Sequence, residues 1–107
     1  MRNNMTQFFD PSLTQQDIDL TTLFMIELAA DNKEYWSSDD FRDYRLDRWF
    51  DDPQHQIGAY FARLKANGIA VPYGEVPSEI LSNHERKVDL WKWNWQRWRT
   101  IIKSRLP

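Results

Sequence analysis

The sequence predicts an α+β domain that is mainly helical: three helices, a pair of strands, and a C-terminal helical extension. Three observations carry this. Two stretches, Thr14 to about Asp31 and Pro53 to Asn67, repeat apolar residues at helical spacing. Beyond Gly68 the pattern changes to short β-branched and aromatic runs, Ile69–Tyr73 and Val88–Trp95. Between those runs lies GEVPSEILSNHERK, rich in turn formers. A chain of 107 residues suits one domain. It divides into a flexible N-terminal arm at 1–11, a body at 12–95 and a C-terminal helical extension at 96–107.

The first helix is expected to start at Ser12 or Thr14, with Gln15 at capping-box spacing from Ser12. Leu20, Leu23, Phe24, Ile26, Leu28 and Ala30 leave it a narrow polar side, so it is expected at the centre of the core. Tyr35–Trp36 reads as a minimal strand. Ser37 or Ser38 caps a second helix whose first turn carries Asp39 and Asp40. Trp49 and Phe50 are expected to anchor the turn that follows.

The third helix has both ends marked. Asp51 or Asp52 can cap its start, Pro53 suits its first position, and Gly68 suits its exit. Ile57, Phe61 and Leu64 form its core stripe. Gly58 lies beside that stripe, where another helix could approach. The opposite strip carries Gln56, Ala59, Arg63 and Asn67, flanked by His55 and Tyr60. Pro72 marks the first strand of the pair as an edge strand. Trp91 and Trp93 share one strand face and are expected in the core. Gln96–Leu106 forms the terminal helix.

Composition excludes several classes. The chain has no cysteine, hence neither disulfides nor cysteine–metal sites, which fits a cytoplasmic location. The apolar run Leu23–Ala30 is too short to span a membrane, and the N-terminus does not read as a secretory signal. His55 and His84 have no metal-ligand partner at a recognised spacing. No phosphate loop, HExxH or GxSxG occurs. The chain therefore reads as a non-enzyme without a cofactor. Residues 1–60 hold 12 acidic and 5 basic side chains, and residues 61–107 hold 4 and 9. The molecule is electrostatically bipolar.

Three helices followed by two strands with a polar loop resemble the winged helix-turn-helix family, in particular the small proteins of phages and other mobile elements. The carrying segments are Asp52–Pro53, IGAYFARL, ANGIA and GEVPS…NHERKVDLWKW, within Thr14–Trp95. The resemblance implies a DNA-binding regulator, or an accessory factor in replication or recombination. The 53–67 helix would read the major groove of double-stranded DNA, and the 74–87 loop would be the wing. Gln54 and Gln56 suit adenine edges, and Arg63 suits guanine or phosphate. His55 and Tyr60 suit phosphates, as do His84, Arg86 and Lys87 at the wing, and Ser38 and Arg42 suit a flanking phosphate.

Other readings remain beside this one. Winged helices also bind proteins, and the acidic first half favours a protein-interaction module without nucleic-acid binding. The basic residues between Trp91, Trp93, Trp95 and Trp98 suit single-strand stacking. An apolar surface of Trp98, Ile101, Ile102 and Leu106 suits a homodimer.

Overall fold

The computed structural model describes residues 10–78 and 87–106. The first nine residues, with Phe8 and Phe9, and most of the expected wing loop, with His84 and Arg86, lie outside them. The element order is α1 (Gln15–Ala30), β1 (Tyr35–Trp36), α2 (Ser38–Asp43), a 3-10 turn (Leu46–Trp49), α3 (Pro53–Ala66), β2 (Ala70–Pro77), β3 (Lys87–Trp93) and α4 (Trp95–Arg105). The class is α+β, with the three strands in one antiparallel sheet of order β1-β3-β2.

Local chemistry sets the boundaries. Thr14, rather than Ser12, caps α1: its hydroxyl accepts the Asp17 N–H at 3.0 Å, and Asp17 accepts the Thr14 N–H at 3.0 Å. Ser37 and Asp40 repeat this capping box on α2. At α3, Asp52 holds the cap position, but its carboxylate turns to His55 instead of a helix N–H. The side chain of Gln56 accepts the Asp52 N–H at 2.7 Å. Gly68 leaves α3 at φ +74°, a left-handed conformation that favours glycine.

The strands depart from expectation at two places. β2 continues through Gly74 to Pro77, where a loop was expected. Pro72 pairs with Trp91 and Gly74 with Leu90, so Tyr73 is the extra residue of a bulge and pairing resumes beyond it. β3 ends at Trp93, not Trp95. Asn94 leaves the sheet, donates its N–H to the Ile69 carbonyl at 2.8 Å, and caps α4 by accepting the Arg97 N–H. As expected, β2 with Pro72 lies at the sheet edge.

The core centres on Phe24, which is fully buried. Its ring meets Trp36 at 5.0 Å, Phe41 at 5.2 Å and Trp93 at 5.7 Å, all edge-on. Trp36 and Trp93 lie 4.2 Å apart, joining β1 to β3, and Trp91 is buried beside them. The expectation that Trp91 and Trp93 are core residues holds. Leu23, Ile26 and Trp49 are exposed instead, at 41%, 59% and 52%. α1 still supplies Leu20, Phe24 and Leu28 to the core, and Phe50 with Leu46, not Trp49, anchors the turn before α3.

One polar network crosses this core. Asp17, 1% exposed, accepts Arg63 Nε and Nη2 at 2.7 and 2.8 Å. One turn on, the Thr21 hydroxyl donates to the Asp17 carbonyl and lies 2.7 Å from the Tyr60 hydroxyl. Removing one partner of a buried pair strands the other charge, so Arg63→Met is expected to cost about 3–5 kcal/mol in urea unfolding, and Asp17→Asn on that background to restore part of it. Burial pushes the Tyr60 phenol well above its ordinary range, and burial with the Asp31 bond does the same for Tyr44. A raised acid pKa favours the fold while the group is protonated. Stability is therefore expected to be level below the free phenol pKa of about 10 and to fall above it. The fall should be shallower in Tyr60→Phe, and an equally steep fall would count against this assignment.

Candidate nucleic-acid interface

The groove between α3 and β3 begins with the phase of α3. Ile57, Tyr60, Phe61 and Leu64 are buried. Arg63 turns to α1 through Asp17, and Asn67 donates to the Pro11 carbonyl at 2.6 Å. The flank holding Gln56, Arg63 and Asn67 is therefore the one beside α1. One turn beyond the exposed Gln54, the opposite flank, with Gly58, Ala62 and Lys65, is exposed and faces the hairpin. It forms one wall of a groove of about 420 Å³, with Lys87 and Asp89 on the β3 wall, Ser38 at one end, and Phe61 and Trp91 at the base.

The residues expected at a DNA surface divide accordingly. Gln54 is exposed on the first turn of α3, and Lys87 is exposed at the start of β3. His55 is exposed, with Nδ1 2.7 Å from the Asp52 carboxylate. Gln56 is exposed but uses its carbonyl oxygen at the helix start. Tyr60 is a correction: it is fully buried, with its hydroxyl on Thr21, and cannot reach a phosphate. Arg63 is another. Its Nε and Nη2 edge is held by Asp17, whose bond also raises its pKa. A bidentate reading of guanine through that edge would require breaking the pair. His84 and Arg86 lie outside the described residues.

The sequence reading missed Gly58, Ala62 and Lys65 as a set. The signal was present in the phase: with Ile57, Phe61 and Leu64 inward, positions 58, 62 and 65 share the adjacent flank, separated by four and three residues. Small residues at 58 and 62 leave backbone accessible between two lysines. Ser38, considered for a flanking phosphate, does lie at this groove. At the C-terminus, Trp98, Ile101 and Ile102 are half-buried against the core, whereas Leu106 is 65% exposed.

Among the described residues, no group of three or more His, Cys, Asp or Glu side chains could hold a metal ion, and no helix is long and apolar enough to cross a membrane. No protein-family model matches the chain, and neither does any curated protein or solved structure.

Gly58 tests the open flank. A Cβ built there meets no heavy atom within 4 Å. Gly58→Ala is therefore expected to stabilise the fold in urea unfolding by about 0.5–1 kcal/mol, the helix-propensity difference. A destabilised variant would mean that another element packs on this flank.

Proposed function

We propose that the chain is a winged helix-turn-helix protein that binds double-stranded DNA, with α3 as recognition helix and the β2–β3 hairpin as wing. The observation that carries this is the open groove between α3 and β3, bordered by Lys65 and Lys87, with only Gly58 and Ala62 beside Lys65 on the outer α3 wall. The order α1-β1-α2-α3-β2-β3 with sheet order β1-β3-β2 supports the same reading. Gln54, at the exposed N-terminal end of α3, is suited to an adenine edge. Lys65, Lys87 and Ser38 are suited to phosphates, which position the helix without reading sequence. The resemblance to mobile-element proteins extends the proposal to a regulator or a replication or recombination accessory factor.

A second reading rests on Arg63 being engaged by Asp17. The remaining exposed groups near the start of α3 and on β3 include Asp51, Asp52 and Asp89, which oppose phosphate approach. A protein-interaction module would use the same groove for a partner. Single-strand stacking loses two of its rings, because Trp91 and Trp93 are buried.

Gel shifts with random and selected duplexes at low and moderate salt separate these readings. Lys65→Ala and Lys87→Ala are each expected to weaken binding to all duplexes and to lower the salt slope by about 1. Gln54→Ala is expected to lose about 1–3 kcal/mol of discrimination at one base position. Absence of duplex binding at low salt would reject the DNA reading and favour the protein module.

A further inference from the structure

The C-terminal helix is poorly covered for its composition. α4 spans 11 residues and has no buried side chain, yet it carries Trp95, Trp98, Ile101 and Ile102. A helix of that length is marginal by itself in water, where about 12–15 residues are needed. It is held to the body by half-burial of Trp98, Ile101 and Ile102, and by two guanidinium contacts. Arg97 donates to the Asn67 carbonyl at 2.9 Å, and Arg105 to the Leu13 carbonyl at 2.8 Å.

Those contacts give its direction. Arg105, at the end of α4, meets Leu13, just before α1. Trp95, at the start of α4, shares a cleft with Met25, Leu28 and Ala29 near the end of α1. The two helices therefore run antiparallel along one side of the molecule. Apolar groups remain open on both: Ile26 on α1 is 59% exposed and Trp95 on α4 is 55% exposed. Their charges are opposite. The exposed ionised residues of α1 are Asp19, on the outward side with Ile26, and Glu27, on the flank near Tyr44, with no base in that helix. α4 has four bases and no acid, and Arg99 and Lys103 flank its outer cleft beside Trp95 and Ile102.

We propose that this face binds a second copy of the chain, with α1 of each copy lying against α4 of the other. In an isologous pair a contact made once is made twice, so acidic α1 meets basic α4 at both ends of the interface. α1 is about 24 Å long, and two helices side by side are about 20 Å wide, a footprint of roughly 480 Å², which suits a small and salt-sensitive dimer interface. Exposed Ile26 and Trp95 supply its apolar centre. The proposal does not depend on DNA binding.

Sedimentation equilibrium of the intact chain tests it. The wild type is expected to show a monomer–dimer equilibrium that weakens with added salt. Asp19→Lys/Glu27→Lys makes the exposed charges of both helices basic, and Arg99→Glu/Lys103→Glu makes the outer charges of α4 acidic like those of α1, while Arg97 and Arg105 stay on the body. Each variant alone is expected to lose at least about tenfold in association constant, because like charges face one another. An equimolar mixture of the two restores both opposite pairings and is expected to form a heterodimer. All four positions are exposed, and circular dichroism checks their folding. Ile26→Lys gives a second route if either double variant fails to fold, and it too is expected to be monomeric. A monomeric wild type would overturn the proposal. So would variants that still self-associate, or a mixture that stays monomeric.

Discussion

Asp17 accepts bonds from two directions: the Thr14 N–H at the start of α1, and Arg63 from α3 through both carboxylate oxygens. A carboxylate that is 1% exposed needs such partners, because an isolated buried charge costs several kcal/mol. The requirement is rotational as well as energetic. Arg63 can satisfy Asp17 only if α3 turns that flank toward α1. At about 100° per residue, the turn then places Gly58, Ala62 and Lys65 away from α1 and beside the hairpin. The composition of the candidate groove is thus decided by an ion pair on the other side of the helix.

The same stripe of α1 carries the rest of the core. Thr21 follows Asp17 by one turn and meets Tyr60. Phe24 and Leu28 continue the stripe into the aromatic cluster. Phe24 touches rings from β1, α2, α3 and β3, so one side chain links the helical layer to the sheet. Through Trp36 and Trp93 the sheet is held near α3, and Asn94 ties the end of β3 to Ile69, just beyond α3. The hairpin's place beside α3 is therefore a consequence of core packing, set well away from its own tip.

Much of the fold was legible because its signals are local. Pro53 and Gly68 bracket α3, Ser37 caps α2, and alternation puts Trp91 and Trp93 inside. What escaped depends on contacts distant in sequence. Arg63 and Asp17 are 46 residues apart, and Tyr60 and Thr21 are 39 apart. No helical period announces either pair. A solvated arginine and a buried one have the same local pattern, so Arg63 and Tyr60 read as surface groups. Leu23 and Ile26 failed in the opposite sense, since apolar composition does not say whether an adjacent element covers a helix face. The bulge at Tyr73 was hidden because Pro72 and Gly74 are also what a loop would contain.

The bipolar charge of the chain gains a physical form from these placements. Arg63 is neutralised by Asp17 and Lys33 is paired with Asp40, so neither cation shapes the outer field strongly. Among the exposed charges, α1 carries only acids, Asp19 and Glu27, and α4 only bases, on the side of the molecule that meets α3 through Asp17 and Asn67. The α3–β3 groove lies on the opposite flank of α3, with its own two lysines. On the proposed pairing, α4 bases face α1 acids of the second copy and are withdrawn from competition for phosphate. On the DNA reading proposed above, Lys65 and Lys87 then remain as cations bordering a groove that small residues leave open, and a polyanion would meet α3 rather than the more basic C-terminal helix.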